Sequence, residues 1–211
     1  MPDRIKVVED ILSLNDKIAL QNRILFDHAR VFSINLMASP GAGKTSLIEH
    51  TVRGLLNKYK IGMINGDIAT SLDADRAAAV GAVAVQVNTG GECHLDAIML
   101  QQGLNKIPID ELDLLLVENV CNLVCPAGFR LGTHLSVLIA STPEGDDKPY
   151  KYPGMYRGVQ ALVINKIDLI PYTQFRSDFF RQGVEILNPG LVTIALSCRT
   201  GEGIDYWLEW I

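Results

Sequence analysis

The run Ala38-Ser-Pro-Gly-Ala-Gly-Lys-Thr45 places two glycines, a lysine and a threonine where a chain would leave a strand and enter a helix. The chemistry this suits is phosphate binding. Backbone N–H groups from Gly41 through Ala42 and Gly43 to Lys44 and Thr45, with Ser46 next, would converge on a phosphate at a helix N-terminus, where the dipole favours negative charge. Lys44 would neutralise the terminal phosphates and the Thr45 hydroxyl would ligate Mg2+. Ala38 stands where the pattern has its first glycine, which is tolerable if that residue has negative φ.

A second motif selects the base. After the apolar run Ala161-Leu-Val-Ile164 comes Asn165-Lys-Ile-Asp168, and the Asp168 carboxylate can accept both N1–H and the 2-amino group of guanine in a planar pair that adenine cannot make. Asn165 would tie this loop to the phosphate loop, and the stem of Lys166 would cover the base. Taken alone, such a tetrapeptide also occurs as a solvated turn; its place after a strand and behind a phosphate loop favours GTP. Further on, Ser197, Cys198 and Arg199 follow another strand, with a backbone N–H near Cys198 or Arg199 available to the guanine oxygen.

Carboxylates that could handle Mg2+ and water are Asp67, Asp73 and Glu118. Helix capping is the alternative reading of the two aspartates. Glu118 ends the apolar run Leu112–Val117, where nucleotide hydrolases hold a metal-bound water or polarise the attacking one; Lys44, Asp67 and Glu118 are the expected catalytic groups. A separate constellation suits a softer ion. Cys93 and His94 are adjacent, and Cys125 follows Glu118 by a few residues. Thiolate plus imidazole favours Ni2+ or Zn2+ over Mg2+. Three ligands are too few for a closed tetrahedral site, but a two-fold dimer would double the set. Buried, unreactive cysteines beside a surface histidine are the alternative.

Positioning these groups requires strands that alternate with helices, the sign of an α/β fold with a mainly parallel sheet flanked by helices. Besides Val31–Met37, strands are expected near Lys60–Ile64, Ala82–Val87, Leu112–Val117, Leu135–Ala140, Gln160–Ile164 and Leu191–Ala195. Helical spacing of Val8, Ile11, Leu12, Ile18 and Leu25 predicts a leading helix over about 7–30, docked on the domain. The segment from Thr142 to Pro153, rich in turn-forming and charged residues, reads as a functional loop.

With 211 residues and 48% hydrophobic content, the chain can bury one sizeable core, so a single domain over 1–211 is expected. A formal net charge of −5 without a local basic cluster argues against a nucleic-acid partner. No apolar run approaches the ~18 residues of a membrane span and no signal peptide is evident, so a cytoplasmic location without membrane contact is expected. The four cysteines then read as thiols or metal ligands.

Taken together, the motifs resemble those of the hydrogenase nickel-incorporation GTPase family, the B-type accessory proteins of nickel-iron hydrogenase maturation. The residues that carry the resemblance are Asn15-Asp16, Asn22-Arg23, Ser39–Thr45, Asn65-Gly-Asp67, Glu92-Cys-His-Leu-Asp96, Glu118-Asn-Val-Cys-Asn-Leu-Val-Cys-Pro126, Glu144-Gly-Asp-Asp-Lys-Pro149, Lys151-Tyr-Pro153 and Asn165–Pro171. The resemblance implies a P-loop NTPase of the SIMIBI type, with slow GTP hydrolysis and a homodimer promoted by GTP. It implies nickel delivery to the hydrogenase large subunit together with a small zinc-containing metallochaperone. Cys93, His94 and Cys125 would form the nickel or zinc site at the dimer interface, and Lys151 would reach the nucleotide of the partner subunit.

Three features depart from the family pattern. Cys121 stands where the family has a γ-phosphate-sensing glycine, and either crowds the site or joins Cys125 as a ligand. Ala38 is the second departure. The third is the lack of an N-terminal nickel motif or histidine-rich tract, which makes storage an unexpected role. No arginine finger is identifiable, so slow turnover is expected. Two alternatives stay open: a GTP-binding, metal-responsive interaction module without significant turnover, and an accessory GTPase for another nickel enzyme such as urease.

Overall fold

The computed structural model describes residues 7–67, 72–120 and 128–211. In chain order the helices are α1 (Val7–Ala29), α2 (Lys44–Leu55), α3 (Leu72–Ala79), α4 (Ala97–Leu104), α5 (Lys148–Lys151), α6 (Pro153–Arg157), α7 (Ser177–Leu187) and α8 (Ile204–Trp210). The strands are β1 (Phe32–Ala38), β2 (Ile61–Asp67), β3 (Val83–Asn88), β4 (Leu114–Glu118), β5 (Leu135–Ser141), β6 (Ala161–Asn165) and β7 (Val192–Ala195). They form one seven-stranded sheet in the order β3-β2-β4-β1-β5-β6-β7, and every pairing is parallel. This is the doubly wound α/β arrangement expected from the sequence, of the P-loop NTPase kind.

Strand periodicity of two divides the core between the two faces of the sheet. Ile34, Leu36, Leu114, Leu116, Val137, Ile139, Ala161 and Val163 point to one face, where they meet Leu47, Ile48 and Val52 of α2 and Trp207 of α8. Their neighbours point the other way. Leu115 and Val117 pack with Phe26 of α1 and Leu100 and Leu104 of α4, while Leu138, Ala140, Leu162 and Ile164 pack with Tyr156, Phe180 and Val184 of α6 and α7. On that second face β1 carries Ser33 and Asn35, both buried and polar.

The leading helix ends as it must to feed β1. Arg30 takes φ 58, its N–H donates to the Asp27 carbonyl at 3.3 Å, and the Val31 N–H donates to the Phe26 carbonyl at 3.0 Å. This is a Schellman turn with the Val31–Phe26 contact that accompanies it, built on arginine where glycine is usual. The expected loop at 142–153 is ordered differently. A 3-10 turn over Thr142–Glu144 leads into α5 and α6, each with a proline in its first turn, where the missing N–H costs nothing. Among the described residues no helix is long and apolar enough to cross a membrane.

Candidate nucleotide and metal sites

The phosphate loop leaves the C-terminal end of β1 and enters α2 at Lys44, as the sequence predicts. Gly41 has φ 76 and Gly43 φ 98, whereas Ala38 closes β1 without a positive φ, so only the two glycines carry left-handed backbone. Gly43 is also required by space: a Cβ there would lie 2.2 Å from Asn165 Nδ2. No acidic residue occupies the first turn of α2, leaving its positive end for an anion.

Lys44 points to the end of the neighbouring strand. Its Nζ lies 3.0 Å from Glu118 Oε1 and donates to the Asn119 carbonyl, while Thr45 Oγ1 donates to the same Glu118 oxygen at 3.1 Å. Burial pushes the Glu118 carboxyl up from its ordinary range, against the pull of Lys44, and Asp73 adds to the rise. Glu118 Oε2 is buried without a hydrogen-bond partner among the described residues. An unmatched carboxylate oxygen beside a threonine hydroxyl, both hard donors, fits a divalent cation such as Mg2+. Asp67 closes β2. Asp73 lies in the first turn of α3, 3.6 Å from Arg76.

One contact to the phosphate loop was not expected from its chemistry. Glu144 Oε1 accepts from the Ser141 amide at 3.1 Å and from its hydroxyl, closing a capping box. Its other oxygen accepts from Ser39 Oγ and so ties β5 to the phosphate loop.

The base-side loops are joined to this one. Asn165 Nδ2 donates to the Ala42 carbonyl at 2.8 Å, and Lys166, held at φ 63, reaches the Gly41 carbonyl with Nζ at 2.6 Å. Asn165 thus makes the expected tie between this loop and the phosphate loop. Asp168 Oδ1 accepts from Ser197 Oγ at 2.6 Å, and Arg199 stands 3.9 Å from its other oxygen. The Cys198 N–H, expected to face the base, donates to Asn165 Oδ1 at 3.1 Å, and the Arg199 N–H donates to Ser197 Oγ at 3.2 Å. Both amides thus serve the loop's own geometry. Burial pushes the Cys198 thiol up to about 11, which leaves it a packing group and no nucleophile.

Cys93 and His94 lie between β3 and α4, half-buried, with Sγ 4.0 Å from Nδ1. Asp96 caps α4 by accepting from the Met99 amide at 2.7 Å. Cys125 and Cys121 lie outside the described residues, and among those described no three His, Cys, Asp or Glu side chains cluster to hold a metal. Sequence reasoning missed Phe129, whose ring sits 4.0 Å from that of His94, centroid to centroid. It also missed the work of α1. Asn15 accepts from the Ala97 amide at 2.9 Å and donates to the Arg130 carbonyl at 2.9 Å. Asn22 donates to the carbonyls of Ala97 at 2.9 Å and Leu131 at 3.2 Å. The leading helix therefore clamps the segment after His94 to the segment around Phe129. Gly132, at φ +88, permits this, since a Cβ there would lie 2.0 Å from the Ala19 carbonyl oxygen. Lys151 is exposed on α5 and pairs with Asp147 one turn earlier.

Comparison with known proteins agrees with this fold. Residues 32–191 match the CobW/HypB/UreG nucleotide-binding domain. The "Hydrogenase maturation factor HypB" of Rhizobium leguminosarum bv. viciae is 43% identical over 207 residues, which cover 98% of this chain and 69% of that protein. The crystal structure of hydrogenase maturation factor HypB from Archaeoglobus fulgidus superposes with a TM-score of 0.87 at 35% identity, covering 94% of this chain and 97% of that one. The crystal structure of HypB from Helicobacter pylori in complex with nickel gives 0.89 at 31% identity, covering 93% and 92%. With the phosphate loop, the guanine-side loops and the Cys93–His94 segment in place on this fold, the chain belongs to the HypB family of hydrogenase maturation factors.

Proposed function

We propose that this chain is a nickel-handling GTPase that couples GTP binding, hydrolysis and dimerisation to nickel insertion into a nickel-iron hydrogenase. GTP would occupy the loop at 41–46, with its base on Asn165, Lys166 and Asp168. On binding, Lys44 would exchange Glu118 for the terminal phosphates, and Thr45 and Glu118, with Asp67 and Asp73 nearby, would hold Mg2+. The ion, when bound, neutralises charge on the phosphate oxygens. Glu118 and Asp67 would orient the attacking water. The nickel or zinc would be carried by Cys93, His94 and Cys125, doubled across a two-fold dimer in which Lys151 reaches the partner's nucleotide.

The observation that carries this reading is the Lys44–Glu118 pair at 3.0 Å. It joins the phosphate loop to the end of β4, which Cys125 follows in the sequence. Phe129 supports the ligand set: it touches His94 and follows Cys125 by four residues, a span of at most about 14 Å of extended chain. The thiol of Cys198 is free, in keeping with a cytoplasmic protein working beside a small zinc-containing metallochaperone and the hydrogenase large subunit.

The test is the nickel and zinc bound per chain, with oligomeric mass and phosphate release, for wild type and Cys93→Ala, under GDP and under a non-hydrolysable GTP analogue with Mg2+. Metal binding and dimerisation are expected to rise together with the analogue and to vanish in Cys93→Ala. Metal binding indifferent to both nucleotide and Cys93 overturns the reading, and GTP binding without phosphate release reduces the chain to a non-catalytic module.

A further inference from the structure

Asn119 is fully buried at the end of β4, and each of its polar groups has a different assignment. Its N–H donates to the Leu36 carbonyl at 3.0 Å, extending the β4–β1 ladder. Its main-chain carbonyl accepts from Lys44 Nζ. Its side-chain Oδ1 accepts from two amides, those of Leu95 and Val120, each at 2.9 Å. That double acceptance fixes which side-chain atom is oxygen, and Nδ2 accordingly donates to Asn35 Oδ1 at 3.3 Å.

Two of these contacts act on one rigid unit. The Asn119 carbonyl and the Val120 N–H belong to the same planar peptide. Lys44 holds the oxygen end of that plane, and Asn119 Oδ1 holds the N–H end while also holding the Leu95 N–H. Leu95 directly follows His94 and is itself fully buried, packed so closely on Gly66 that a Cβ there would lie 2.4 Å from it. The Cys93–His94 segment is thus anchored through Leu95 to a peptide plane whose other end is a ligand of the phosphate-loop lysine.

We propose that Asn119 is the positioning residue through which the nucleotide state reaches the Cys93–His94 segment, the 119–120 peptide acting as a lever. When a triphosphate draws the Lys44 ammonium off the Asn119 carbonyl, the plane loses its cationic partner and tilts. Its N–H then shifts the side-chain oxygen shared with Leu95, and the backbone carrying His94 moves with it. The side chain is short and buried, so displacement is transmitted with little slack. This rests on the proposed coupling of nucleotide to metal, and it differs from a route along the chain from Glu118 to Cys125 because it runs through space to the β3–α4 segment.

The first test uses wild-type protein: amide exchange at Leu95, read by NMR with saturating GDP and then with a non-hydrolysable GTP analogue and Mg2+. The Leu95 rate is expected to differ by about tenfold or more between the two states; the same protection in both overturns the lever. The second is nickel affinity under the same two saturating nucleotides for wild type, Asn119→Ala and Asn35→Ala. A typical coupling makes the wild-type ratio about 5-fold or larger. In Asn119→Ala, which keeps the carbonyl but loses the oxygen shared with Leu95, the ratio is expected to fall to about one, and in Asn35→Ala to stay at the wild-type value. An unchanged ratio in Asn119→Ala, or an equal collapse in Asn35→Ala, rejects the route through Leu95. A wild-type ratio of one would instead remove the nucleotide–metal coupling on which the lever stands.

Discussion

Lys44 and Glu118 meet through Nζ and Oε1 at 3.0 Å with side chains only 4% and 1% exposed. An ion pair so withdrawn from water costs each partner its hydration, and the cost is tolerable only while both charges are present. Lys44→Ala is therefore expected to destabilise the nucleotide-free protein by about 3 kcal/mol. Glu118→Gln in the same background should recover part of that loss. Thermal unfolding of the two single variants and the double variant measures it. A double variant no more stable than Lys44→Ala would mean that the Glu118 charge is not the source of the loss. Phosphate release from GTP by Lys44→Ala should fall by at least about 100-fold.

Asp168, the base-reading residue of the proposed function, takes the Ser197 hydroxyl at 2.6 Å and keeps its remaining acceptor capacity for a ligand. Asp168→Asn replaces one acceptor by an amide donor. The guanine 2-amino group then meets another donor, whereas xanthine, with an oxygen at that position, meets its complement. GTP affinity is expected to fall about 100-fold, the loss of one to two charge-assisted hydrogen bonds, with a gain for xanthosine triphosphate. Competition binding with the two nucleotides decides it: equal losses for both would show that Asp168 shapes its loop without reading the base.

Phe129 packs on His94 at 4.0 Å between centroids. Ring contacts of this kind contribute about 0.5–1.5 kcal/mol beyond buried area. Phe129→Ala is expected to weaken nickel binding by about 3–10-fold by releasing the imidazole from its orientation. A nickel titration monitored by absorbance reads this directly, and an affinity equal to wild type would show that His94 is held by other means.

What could be read from the sequence, and what could not, follows from the range of each interaction. The strands were legible because they are short, mostly apolar runs rich in β-branched residues, and the phosphate and guanine loops because their chemistry needs several residues at fixed short spacing. The capping box at Ser141 and Glu144 has a sequence signature as well, but the second Glu144 oxygen, taken by Ser39, has none. Asn15 and Asn22 illustrate the limit. Their partners lie 75 to 115 residues away in the chain, and helical spacing marks α1 as amphipathic without showing that its two buried asparagines bind the backbone of Ala97, Arg130 and Leu131. Asn119 was hidden in the same way, since a single buried amide acquires its partners only from the order of strands. The helices at 148–157 were masked by Pro149 and Pro153, which read as breakers but sit in first turns.

Asn22 therefore gives a quantitative prediction. Its replacement by alanine removes hydrogen bonds of 2.9 and 3.2 Å and leaves the Ala97 and Leu131 carbonyls without that donor in a buried place. The expected cost is about 2 kcal/mol, a fall of roughly 4–8 °C in Tm for a chain of this length. A Tm within a degree of wild type would show that water replaces the amide and that the helix is not clamped there.

The final prediction concerns acid. Ser33, His134 and Asp27 form a chain in which the Ser33 N–H donates to His134 Nδ1 at 3.1 Å, so that nitrogen carries no proton and Nε2–H donates to Asp27 Oδ1 at 3.0 Å. Ser33 is fully buried, which excludes it as a nucleophile for any substrate and leaves the chain a clamp between β1 and the end of α1. The His134 hydrogen bond, helped by Arg23, holds the Asp27 carboxyl below its ordinary value of 3.8. A carboxylate with a lowered folded-state pKa contributes stability that is complete above the unfolded value and disappears as pH falls through the folded one. Asp27→Asn should accordingly be less stable than wild type near neutral pH, and the difference should shrink as pH drops below 3.8. Urea titrations across that range are the measurement. A stability difference independent of pH would mean that Asp27 acts on α1 through its shape and hydrogen bonds alone, and that its charge contributes nothing to the clamp.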